Sequence, residues 1–225
     1  MATVGDSFPL RDRLWEGAIL GFISHAIMVC RYPDLAHEQA WDGYNYSIQD
    51  STGTKGTITF AQGHAVGAFF DKASPRNPFK SGQHYNLDQL LVGIPVNLRS
   101  LAFGESFQYL LQEIEGRTEP VVTAVFWDDG IDLTAAEPWN EIVKNGAHLI
   151  RRQLLDLRTA ETEWQRYYKM PVAHVTLAQS IAQQKIAAPN VPLALSREQW
   201  AMVTTLGSGH EESRTSFGEI GIAVP

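Results

Sequence analysis

Residues Trp41 to Asp71, WDGYNYSIQDSTGTKGTITFAQGHAVGAFFD, alternate in side-chain character and are interrupted by two glycine-containing turns. No other feature restricts the fold as strongly. Successive side chains of a strand point to opposite faces, so Tyr44, Tyr46 and Ile48 share one side and Gly43, Asn45 and Ser47 the other. Thr57 to Ala61 repeats the pattern, with Ile58 and Phe60 on one face and threonines on the other, and Ala65 to Phe70 places Val66, Ala68 and Phe70 together. The connectors Asp50 to Gly56 and Gln62-Gly63-His64 are short enough to join antiparallel neighbours. The stretch therefore reads as a meander, whose apolar face needs a cover, and the segment before it is the nearest candidate.

That segment, from about Phe8 to Tyr32, carries Leu14, Trp15, Ala18, Ile19, Phe22, Ile23, Ala26, Ile27 and Cys30 as pairs every four residues. The spacing predicts a helix with a wide apolar stripe, capped by Ser7 and stopped by Pro33. Residues 74–86 read as a loop, and Leu98 to Ala102 and Phe107 to Ile114 as helical groups with a break at Gly104. Pro120 to Trp127, apolar on both faces, reads as a central strand, with a short return at Ile131 to Leu133. Trp139 to Leu157 keeps helical spacing, Val175 to Ala187 reads as a further helix, and Ser196 with Gln199 forms a capping-box pattern. The order of elements predicts one α+β domain over 1–225. Its largely antiparallel sheet, meander 41–70 plus strand 120–127, is covered by helices. A helical C-terminal subregion spans 137–206, and the tail 207–225 is either a flexible end or an edge strand from Phe217 to Val224.

Charge narrows the partners. The 225 residues hold 18 Lys plus Arg against 25 Asp plus Glu, a net −7, which opposes binding to phosphate backbones and suits a basic protein partner. The single cysteine, Cys30, rules out an intramolecular disulfide and argues against a cysteine zinc site. The most apolar run, residues 17–30, is too short to span a bilayer and contains His25. Glu16 before it, with no small-x-small site after it, argues against a signal peptide, so the expected location is cytoplasmic.

Phosphate-loop, dinucleotide, zinc-protease and nucleophile-elbow signatures are absent. Asp128, Asp129 and Asp132, beside Glu137, form the densest carboxylate group and allow two readings: ligands for a hard cation, or the polar residues of a hairpin turn. Arg76 in the 74–86 loop either clamps an anion or pins its own loop. Seven histidines are scattered without metal-ligand spacing. Trp41, Tyr44 and Tyr46 either pack beneath a helix or, with Asp42 and Asp50, form an open protein-binding patch. Lys55 is the only Lys or Arg between Trp41 and Ala65, which disfavours a nucleic-acid stacking platform.

The run from Trp41 to Arg76 resembles segments of bacterial immunity proteins, which neutralise polymorphic or secreted toxins. The likeness lies in WDGYNY, in the two-glycine turn followed by TITF, and in VGAFFD leading to SPRNP, roughly a sixth of the chain. It implies a cytoplasmic α+β protein without catalysis or cofactor that covers the active site of a toxin domain, a basic one given the net charge. The candidate partner-binding residues are then Trp41, Asp42, Tyr44, Tyr46, Asp50 and Arg76. Two alternatives stand beside it: a metal-dependent hydrolase using Asp128, Asp129 and Asp132, and a structural or regulatory subunit whose first helix, with Gly17 and Gly21, forms a dimer face.

Overall fold

A computed structural model describes residues 8–80, 85–114 and 116–225. Its helices are α1 (Arg11–Met28), α2 (Leu87–Leu90), α3 (Val96–Gly104), α4 (Trp139–Lys144), α5 (Leu157–Tyr168), α6 (Val172–Ala187), α7 (Arg197–Thr204) and α8 (His210–Glu219). Its strands are β1 (Gln39–Asp42), β2 (Asn45–Gln49), β3 (Thr54–Ala61), β4 (His64–Asp71), β5 (Leu111–Ile114), β6 (Arg117–Pro120), β7 (Ala124–Asp128), β8 (Leu133–Thr134), β9 (Leu193–Ala194) and β10 (Ile222–Ala223). The fold is α+β with an antiparallel main sheet. Packing divides the described residues into two units. Unit 1 takes those of Met1–Arg11 and Tyr44–Arg151, and unit 2 those of Asp12–Gly43 and Arg152–Pro225.

In unit 1 the strands run in the order β2-β3-β4-β7-β8. The meander forms as the alternation predicts. Gln62 and Gly63 link β3 to β4 with φ of 56° and 79°, the left-handed pair that matches the twist of a hairpin. The Asp50 carboxylate closes the other turn by accepting from the backbone N–H of Thr52 at 2.9 Å and of Thr54 at 3.1 Å.

Register decides what each face touches. Thr57 lies opposite Ala68 and Thr59 opposite Val66, so the threonines share a face with Val66, Ala68 and Phe70. Leu98 and Ala102 of α3, with Phe107 and Leu110 of the helical turn 106–110, complete the core over that face. The threonine side is thus buried, and its hydroxyls are satisfied within the sheet: Thr59 donates to Asn45 Oδ1 at 2.6 Å, and Thr57 and Ser47 share a bond at 2.9 Å. The first helix, expected as the cover, falls almost wholly in unit 2. On the opposite face Gly56 pairs with Phe69 and Gly67 with Phe126. The bare glycines let both rings lie across the sheet, and Phe126 meets Trp139 of α4 edge-on at 5.8 Å.

Three expected elements differ. The expected strand Pro120–Trp127 splits, with Arg117–Pro120 pairing with Leu111–Ile114 and Ala124–Asp128 lying fully buried in the sheet. Residues Phe107 to Ile114, expected to be helical, form a short helical turn and then β5, because β6 offers a ladder and Gly116, at φ 77°, permits the hairpin. The apolar run from Trp139 is broken at Gly146, which holds φ at 142°.

In unit 2, α1 is buried almost all round from Gly17 to Met28, so its apolar surface is wider than one stripe. A Cβ on Gly17 would strike the Gln153 backbone and one on Gly21 the Trp164 indole, so these glycines admit close neighbours. Cys30 is buried, and burial pushes its thiol pKa up. The predicted capping box forms: Ser196 accepts from Gln199 N–H, and the Gln199 side chain accepts from Ser196 N–H. Residues 207–225 carry α8 and then β10, which pairs in parallel with β9. Ser7, the expected cap of α1, and residues 81–84 of the expected loop lie outside the described residues. Among the described residues no helix is long and apolar enough to cross a membrane.

Candidate functional site

The aromatic patch expected around Trp41 is largely internal. Trp41 is buried in unit 2 against Trp15 and Phe22, with ring centroids at 5.8 and 6.0 Å. Its backbone N–H donates to Glu219 at 2.7 Å and its indole N–H to the Gly43 carbonyl at 3.0 Å. Burial raises the Glu219 carboxyl pKa, and the charge of nearby Asp42 adds to that. In unit 1 Tyr46 is wholly buried, whereas Tyr44 is 64% exposed. The two tyrosines part because Gly43, at φ 58°, turns the chain, and β2 begins only at Asn45. Asp50 is engaged in its turn, so Tyr44 in unit 1 and Asp42 in unit 2 are the members of the set with exposed side chains.

Arg76 pins its own loop. Its guanidinium makes a two-pronged contact with Glu137 at 2.6 and 2.7 Å and donates to the Thr123 carbonyl at 3.1 Å. Beneath it, Ser74 donates to Asn145 Oδ1 and Thr123 Oγ1 to the Asn145 carbonyl, both at 2.6 Å. This polar cluster ties the end of β4 to α4, and it fixes Arg76 away from the role of a free anion clamp.

The three aspartates diverge. Asp128 is fully buried and accepts from the backbone N–H of Ala65 and of Gly130, the latter at 2.8 Å, with His64 Nδ1 at 3.1 Å. Asp129 is exposed and caps its turn, accepting from Ile131 and Asp132 N–H at 3.0 Å each, which pulls its carboxyl pKa down. Asp132 is exposed and lies in a backbone bridge with Leu10. Among the described residues, no group of three or more His, Cys, Asp or Glu side chains is placed to hold a metal ion.

A surface that the strand pattern did not single out lies on α2, α3 and the β5–β6 hairpin, all in unit 1. Leu98 and Ala102 mark the buried face of α3. Val96 and Phe103, seven residues apart, fall on the other face, 83% and 36% exposed. Arg99 lies between them, with its guanidinium 5.6 Å from the Phe103 centroid and bonded to Asp88 at 2.7 Å. Beside them is a hollow of about 360 Å³ lined by Tyr85, Leu87, Asp88, Phe103, Glu119 and Pro120, among others. Tyr85 holds it in shape: its hydroxyl donates to the Pro120 carbonyl and accepts from Val122 N–H, both at 2.9 Å. Burial pushes the Tyr85 pKa up to about 12. The hollow thus sets the apolar groups of Leu87, Phe103 and Pro120 beside two carboxylates, Asp88 and Glu119, each in an exposed pair with an arginine of the chain, Arg99 at 2.7 Å and Arg117 at 3.4 Å, a mixed chemistry suited to a long basic side chain. The signal for it was present in the sequence: Val96 and Phe103 are apolar residues out of phase with Leu98 and Ala102.

No family model, no curated protein and no solved structure matches this chain.

Proposed function

We propose that this chain is a non-catalytic binding protein of the immunity type, which neutralises a basic toxin domain by direct contact. The observation that carries the reading is the hollow lined by Phe103, Asp88 and Glu119, with Val96 exposed on the same face of α3 as Phe103. Apolar anchors set among carboxylates are what a basic partner recognises: the apolar area supplies affinity and the charge speeds encounter. The Arg99 guanidinium, held by Asp88 and Phe103, is an example within the chain of the group such a site accepts. The Arg99–Asp88 pair is solvent-accessible, so it contributes little to stability and exchanges readily for a partner's cation. The net charge of −7 acts in the same direction.

The test is size-exclusion chromatography and thermal melting of the chain mixed with the toxin domain encoded beside it. Co-elution at micromolar concentration with a raised melting temperature is expected. Val96→Glu and Asp88→Lys are surface changes that should weaken the complex without unfolding the chain. Separate elution and an unchanged melting temperature would count against the reading.

A further inference from the structure

A second hollow, of about 200 Å³, lies within unit 2 among α1, α5 and α6. Its volume is below the range of about 300–1,000 Å³ usual for drug-sized ligands, so its occupant is a smaller molecule. Leu20, Ala182 and Ile186 give it an apolar lining, and Leu20 and Ala182 are themselves buried. Arg158, Glu161 and Gln179 supply the polar part of the wall.

The charges narrow the chemistry. Arg158 and Glu161 stand three residues apart on α5, one turn from each other, and feel each other's charge. Among the described residues the Arg158 guanidinium makes no ion pair, and Glu161 has only the Gln179 side chain as a hydrogen-bond partner. Desolvation pushes the Glu161 carboxyl pKa up, and the charge of Arg158 and the Gln179 hydrogen bond act against it. A simple cation would meet repulsion from Arg158, and a simple anion would meet it from Glu161. A molecule carrying both charges next to a short apolar group meets neither.

We propose that this hollow binds a free apolar α-amino acid. Its carboxylate faces Arg158, its ammonium faces Glu161, and its side chain lies on Leu20, Ala182 and Ile186. Gln179 holds the Glu161 carboxylate toward the ammonium. The site lies within unit 2, and the assignment does not rest on the function proposed for unit 1.

Isothermal titration calorimetry of the full chain with L-leucine, N-acetyl-L-leucine and L-leucinamide tests the assignment. L-Leucine is expected to give saturable binding with a dissociation constant of about 1 mM or tighter. Removing one charge, by N-acetylation or amidation, should weaken binding about tenfold or more, since each loses a charge-assisted hydrogen bond. Glu161→Gln and Arg158→Gln should each weaken L-leucine to a similar degree. The comparison of ligands uses the unaltered protein, so it stands even if a variant misfolds. Absence of saturable binding up to about 10 mM, or equal binding of all three ligands, would overturn the proposal.

Discussion

The ring of Phe126 lies across Gly67, its register partner on β4, where any Cβ would collide with it. Phe69 covers Gly56 in the same way one strand over. Neither glycine has a positive φ, so what each position requires is space. Gly67→Ala should therefore destabilise unit 1 by about 1–3 kcal/mol through overpacking, read as a lower urea midpoint. An unchanged midpoint would mean that the ring is not seated there.

Arg76 and Glu137 provide a second check. Their side chains are 25% and 28% accessible, between surface and interior, and the contact is two-pronged. A double-mutant cycle with Arg76→Ala and Glu137→Gln should give a coupling of about 1 kcal/mol. The proposed toxin binding should survive both changes. A loss of binding with stability intact would return Arg76 to the interface.

Asp128 acts as an acceptor for backbone donors. Asp128→Ala would leave Ala65 and Gly130 N–H groups without their carboxylate, lowering stability by about 1–3 kcal/mol. Added Mg²⁺ or Ca²⁺, or a chelator, should leave the melting temperature of the unaltered chain where it is. A metal-dependent rise abolished by Asp129→Asn would revive the hydrolase alternative.

His25 sets an acid limit on unit 2. Its Nδ1 lies 3.0 Å from Tyr168 Oη, to which the Gln39 side chain donates at 3.1 Å, and burial pushes the imidazole pKa down to about 4 from 6.5. The unfolded chain thus binds the proton more tightly. The stabilising contribution is full above pH 6.5, falls as the pH drops, and is gone below about 4, a loss of about 3 kcal/mol. Denaturation of wild type and His25→Gln across that window should show a steeper loss of stability in wild type, because the carboxyl groups titrate in both. Parallel curves would contradict it.

The parts of the fold legible in the sequence were those set by local pattern. The meander followed from period-two alternation with glycine turns, α1 from its apolar spacing, and the start of α7 from Ser196 and Gln199. Elements that depend on distant partners were not legible. Phe107, Leu110, Leu111 and Ile114 fit a helix as well as a turn and strand, and only pairing with Arg117–Pro120 decides between them. The expected polar face of β3 is buried because Asn45 and Ser47 happen to satisfy its threonines, a fact of register. The candidate site shows the same division. Alternation placed Tyr44 and Tyr46 together, but the turn at Gly43 separates them, while the exposed face of α3 emerges only once Leu98 and Ala102 are known to be buried.

Hydrogen–deuterium exchange of the chain alone and mixed with the proposed toxin partner tests the proposed binding surface most directly. Slowed exchange concentrated in residues 85–103 and 111–120, and weakened by Val96→Glu, is the result expected. Formation of a complex that leaves those segments unprotected, or no complex at all, would contradict it.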